Sequence, residues 1–145
     1  MKKDISIEEI EIIEGIVYDS KYENQYSLPA WYKSIRNKNL SQLSDGNLAR
    51  LIRQGMYLKH ILFECINRLY KNPFRGEKYY GELIEVLSKN IDVSFWKENE
   101  ECKKHMHNFL IHFDSNVSVE NYKELGDFEK DEIMKSVNQL SRDIK

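Results

Sequence analysis

A chain of 145 residues that is 41% apolar and 32% charged holds enough apolar material for one packed core, so residues 1–145 are expected to form a single domain. Its net charge of −2 lacks the strong positive excess of a general nucleic-acid binder. Two cysteines, Cys65 and Cys102, argue against a disulfide framework, and no apolar run approaches bilayer-spanning length.

The N-terminus places a basic pair, Lys2-Lys3, ahead of acids rather than an apolar stretch, which does not fit a signal peptide. A cytoplasmic location is therefore expected. Ser6-Ile7-Glu8-Glu9 is a capping-box pattern and opens a short helix that Gly15 ends. Alternation of Ile10, Ile12, Ile16 and Tyr18 is the one strand-like signal, and helix is preferred there up to Gly15. Residues 16–28 are polar, Tyr-rich and irregular. Ser27 and Pro29 start a second helix over 29–37, with Trp31 and Ile35 one turn apart on one face.

Ser44 or Asp45 caps a helix that runs to about Gln54, burying Leu48, Leu51 and Ile52 and turning Arg50 and Arg53 outward. Beyond a turn at Gly55, Leu58, Ile61, Leu62, Cys65, Ile66 and Leu69 recur with the period of an amphipathic helix, which Asn72-Pro73 terminates. Tyr79, Tyr80, Leu83, Ile84, Val86 and Leu87 indicate a shorter helix interrupted near its start by Gly81. Asp92 to Asn99 reads as a turn and a helical turn carrying Phe95-Trp96. Further helices are expected over 100–113, 118–125 and 127–144. The spacing predicts an all-α, compact bundle of about seven helices.

Chemistry-bearing residues are few. Cys102, His105, His107 and His112 have metal-ligand residue types, but His107 points away from the others and no second Cys/His cluster exists to complete a zinc site. His60 has no nearby nucleophile at helical spacing, and the six glycines are isolated rather than gathered into a phosphate loop. No catalytic group, metal or cofactor is expected.

Charge is unevenly distributed. Residues 1–30 carry −4, residues 31–80 carry +7 and residues 81–145 carry −5. The basic middle, with Arg50, Arg53, Lys59, Arg68, Lys71, Arg75 and Lys78 interleaved with tyrosines, suits a helical nucleic-acid-binding regulator using residues 50–78. The acidic flanks suit the opposite role, mimicry of nucleic-acid phosphates toward a cationic protein cleft.

The run Leu48-Ala49-Arg50-Leu51-Ile52-Arg53-Gln54, with Leu58 and Ile61, then Asn72-Pro73, Tyr79-Tyr80-Gly81-Glu82-Leu83 and Phe95-Trp96, resembles the helical immunity proteins of bacterial contact-dependent growth inhibition systems. In that family Leu-Arg-x-x-Ile-x-Gln-x-x-x-Leu-x-x-Leu is followed by Asn-Pro, Tyr-x-Gly-acid-Leu-Leu and Phe-Trp. The resemblance implies an all-α fold and a non-enzymatic protein that neutralises a cognate toxin, the C-terminal domain of a secreted effector. Cytosol-active toxins of these systems are often nucleases, so an EndoU-like RNase blocked at its active site is the expected target. The shared aromatics are expected to latch the 81–89 helix onto the 56–70 helix, with a hydrogen bond from the Trp or second Tyr where buried. Recognition is expected where the likeness fades. Glu8, Glu9, Glu11, Tyr22, Tyr26, Glu98, Glu100, Glu101, Tyr122, Asp127, Phe128 and Asp131 are the candidate toxin-binding residues.

Overall fold

A computed structural model describes residues 4–18 and 27–145. Among them the chain forms eight α-helices and no strand beyond an isolated bridge between Ser6 and Asn39. The helices are α1 (Ile7–Glu14), α2 (Ser27–Ile35), α3 (Asp45–Arg53), α4 (Leu58–Lys71), α5 (Glu82–Lys89), α6 (Val93–Glu98), α7 (Glu100–Asn116) and α8 (Asp127–Asp143). None is long and apolar enough to cross a membrane.

Local chemistry sets several boundaries. The Ser6 hydroxyl accepts from the Glu9 N–H while the Glu9 carboxylate accepts from the Ser6 N–H, so the capping box forms as expected. Gly15, left-handed at φ 70°, closes α1. Ser44 caps α3, and α4 ends at Asn72, before Pro73. Two expectations fail. Residues 118–125 hold only a 3-10 turn, Val119–Asn121, because Val119 and Leu125 are the sole buried anchors of that span. Gly81 precedes α5 instead of interrupting it: at φ 84° it is left-handed, and a Cβ there would strike Ile133 of α8.

Helix α4 is central, touching α3, α5 and α7, while α8 packs on α5 and meets α7. Ile61, Leu62, Cys65, Ile66 and Leu69 of α4 are all at 0% exposure, each large aliphatic contributing about 1.5–3 kcal/mol by burial. Buried apolar side chains from Ile7 to Ile144 form one continuous cluster. The N-terminal segment joins it through Ile7 and Ile10, and through backbone bonds from Glu8 N–H to Arg36 O and Leu40 N–H to Ile5 O.

The anticipated latch is only half present. Trp96 is fully buried, and its indole N–H has no partner among the described residues, a cost of about 1–3 kcal/mol that its large apolar area outweighs. Tyr79 and Tyr80 are 41% and 50% exposed because the turn at Gly81 carries them off the helix. α5 is held chiefly by α8 and α3.

Candidate functional site

Three arginines of the basic middle, Arg53, Arg68 and Arg75, reach carboxylates of other elements. Arg68, 7% exposed, donates Nε to Glu64 at 2.7 Å, Nη1 to Asp45 at 2.9 Å and Nη2 to the Leu43 carbonyl at 2.7 Å. Burial works against its charge, and Glu64 and Asp45 more than restore it. Arg75 shares Asp45 at 3.1 Å, and the Arg50 guanidinium lies over the Trp31 ring at 4.5 Å.

Arg53 is exposed, as expected, yet its guanidinium reaches back to Glu82, which is 0% exposed, at 2.9 Å. Glu82 also accepts the backbone N–H groups of Glu77 and Lys78. Burial raises its pKa, but these donors outweigh burial and hold it below the usual glutamate range. The acid of the Tyr-x-Gly-acid motif thus fastens the turn before α5 to α3. Of the seven middle cations, Arg53, Lys59, Lys71 and Lys78 are exposed, and Lys59 stands 3.8 Å from Glu14.

The N-terminal acids are similarly engaged. Glu11, 3% exposed, accepts Arg36 Nη2 at 2.7 Å and the Tyr32 hydroxyl at 2.6 Å. Burial raises its carboxyl pKa, while Arg36 and Tyr32 pull it below the usual range. Glu11 is therefore internal rather than a surface residue, since a carboxylate buried this far persists only when paired. Glu8 meets Arg36 at 3.4 Å, and Glu9 closes the capping box. The Tyr32 hydroxyl also meets that of Tyr57 at 2.7 Å. Tyr57 is the one non-glycine at positive φ among the described residues, 56°, and opens α4. Tyr22 and Tyr26 lie outside the described residues.

At the α6–α7 corner, Glu98, Glu100 and Glu101 are exposed on either side of Asn99. Asn99 lines a shallow groove with Ile16, Met56, Leu58 and Phe95. Glu14 sits on its rim, 2.7 Å from His60 Nε2, and that hydrogen bond draws its carboxyl below the usual value. The remaining histidines have local roles. His105 lies against Phe63 and meets Asn67 at 3.2 Å, and His112 meets Asn116 at 3.3 Å.

The third acidic group lies at the end of the bundle where the 72–81 turn, the 118–126 turn and the start of α8 meet. The Gly81 N–H donates to the Phe74 carbonyl at 2.9 Å, folding the first turn back on itself. Buried Val119 and Leu125 pin the second. Phe74, 4% exposed, meets the Tyr122 ring edge-on at 4.3 Å. Together with Asn72, Tyr80, Glu124 and Leu125 they line a cavity of about 230 Å³.

At the start of α8, Gly126 N–H is capped by Glu129 at 2.8 Å, and the exposed Asp127, Phe128 and Asp131 follow, Phe128 at 76% exposure. Glu124, Asp127 and Asp131 have no ion-pair partner among the described residues, whereas Glu120 and Glu132 approach Lys130 and Lys135. The sequence pointed to Tyr122, Asp127, Phe128 and Asp131, and to Glu124 as one of the acids of that stretch, but not to Tyr80. The signal for Tyr80 was Gly81 itself, whose left-handed turn releases the tyrosine from α5.

A comparison with curated proteins finds no match. The family model described as CDI immunity proteins matches residues 12–106, which takes in α2 to α6, the Glu82 anchor, buried Trp96 and the start of α7. With about two thirds of its length matched, the chain belongs to the CDI immunity proteins.

Proposed function

We propose that this immunity protein, acting as one domain in the cytoplasm, neutralises a cognate nuclease toxin by covering its active site with the acidic, aromatic end of the bundle. Tyr122, Asp127, Phe128 and Asp131, joined by Tyr80 and Glu124, form the contact surface. Glu98, Glu100 and Glu101 supply a second acidic flank. The inhibition is steric and electrostatic, with no bond made or broken by this chain.

The observation that carries the reading is the position of this end. Tyr122, Glu124, Asp127, Phe128 and Asp131 lie beyond the family match, with Tyr80 reaching them from within it, whereas the matched segment uses Arg53 and Arg68 on internal carboxylates. A surface that must suit one particular toxin is expected outside what the family shares. A nuclease binds polyphosphate in a cationic cleft, and open carboxylates beside exposed aromatics complement such a cleft in charge and provide anchors for tight binding. An RNase of the EndoU-like type is the target that the resemblance favours.

Co-expression with the toxin domain encoded alongside tests this directly. Cells carrying the wild-type chain grow and yield a co-purifying complex. A variant combining Phe128→Ala, Asp127→Asn and Asp131→Asn folds but loses both protection and complex. Full protection by that triple variant would move the interface elsewhere.

A further inference from the structure

We propose that the cavity among Phe74, Tyr80, Tyr122 and Glu124 is a cage for one cationic side chain, an arginine or a lysine presented by the toxin. This assignment rests on the acidic end being the toxin-facing surface, and it adds the chemistry of the central contact.

The cavity of about 230 Å³ is of side-chain size rather than the size of a nucleotide or a peptide. Two of its walls, Tyr80 and Tyr122, are half-exposed rings, and the buried Phe74 fixes Tyr122 edge-on at 73° between planes. Phe74 is itself held, because its N–H donates to Asn72 Oδ1 at 3.0 Å and its carbonyl accepts from Gly81. The Phe74–Tyr122 wall is therefore set before any ligand arrives, which lowers the ordering cost of binding.

Aromatic faces attract a cation through their quadrupole, and more strongly when water is displaced. A cation moved out of water against these rings also needs a counter-charge. Glu124 lines the same cavity and has no ion-pair partner among the described residues. The surroundings reinforce this choice: residues 120–132 hold six carboxylates against two lysines. An anionic occupant would be repelled, and an apolar one would gain nothing from Glu124.

Two measurements on the full-length chain separate this proposal from the interface reading. In the first, L-argininamide is titrated while backbone amides are followed by NMR, with norleucinamide as an apolar control. Saturable shifts centred on Tyr80, Tyr122 and Glu124 are expected with argininamide in the millimolar range. They should persist in Tyr122→Phe, which keeps the ring, and vanish in Tyr122→Leu. The absence of a saturable shift, or an equal response to norleucinamide, overturns the cage.

In the second, affinity for the co-encoded toxin domain is measured. Tyr80→Leu and Tyr122→Leu each weaken binding about tenfold, while Tyr122→Phe binds as wild type. Binding that falls with Asp127→Asn and Asp131→Asn but is unmoved by the leucine variants leaves the interface standing and removes the cage. Binding that ignores every one of these substitutions removes the interface, and with it the cage's role toward the toxin.

Discussion

The segment from Leu48 to Trp96 and the segment from Ser118 to Glu132 are both strongly charged, yet they use charge in opposite ways. In the first, Arg53, Arg68 and Arg75 are tied to Glu82, Asp45 and Glu64, so much of the basic stretch's charge is taken up by internal carboxylates. In the second, Glu124, Asp127 and Asp131 face solvent beside Tyr122 and Phe128. A local excess of one sign becomes an external field only where the fold supplies no counter-charge. The family-shared two thirds hold these internal pairs, and the part beyond the match leaves Glu124, Asp127 and Asp131 open to solvent.

The largest test of that contrast is Glu82→Ala. Removing it frees the backbone donors of Glu77 and Lys78 and leaves the exposed Arg53 without its partner, at a cost of about 2–3 kcal/mol in urea or thermal unfolding. Toxin protection should fall only in proportion to unfolding. Arg68→Ala belongs to the same class. The pH dependence follows from the lowered pKa values of Glu11 and Glu82. Because both are lowered on folding, their contribution is complete above the ordinary value of 4.5 and is lost as pH falls through the lower, folded values. Melting curves across that range should drop less steeply in Glu82→Gln than in wild type.

Phe128→Ala gives the reverse pattern. With 76% of the residue exposed, stability should change by no more than about 0.5 kcal/mol, while toxin affinity falls by about 2 kcal/mol as for a hot-spot aromatic. A smaller effect is expected from Asp127→Asn with Asp131→Asn. Stopped-flow association with the toxin should slow several-fold at low salt and converge with wild type at high salt, the signature of lost steering. The smallest is a predicted absence: random-sequence RNA should not bind residues 50–78 with a steep salt dependence, since the arginines there already have partners. Tight, salt-sensitive RNA binding would reverse the reading of the middle segment.

Helix existence was legible because its causes are local. The Ser6–Glu9 capping box, the Ser44 cap, the Asn72-Pro73 stop and the Leu58-to-Leu69 stripe each act within a turn or two, and all appear where the spacing puts them. The 118–125 span, expected as a helix, lacks a continuous apolar face to hold one. The candidate site was legible only in part. Tyr122, Asp127, Phe128 and Asp131 share a stretch of chain, but Tyr80 joins them only through the turn at Gly81. Glu11 looked like its neighbours Glu8 and Glu9 until Arg36 and Tyr32 closed over it.

The amino-acid order by itself determined an all-α chain, its main helix boundaries and the family to which it belongs, since periodicity, caps and motifs act over a few residues. Only the tertiary structure decided which charges are internal and which are open. Glu64 and Arg68 are one helical turn apart and could be paired by spacing, but Asp45 with Arg68, Arg53 with Glu82 and Glu11 with Arg36 lie 23, 29 and 25 residues apart. Packing brings those partners together, and burial makes each pair matter.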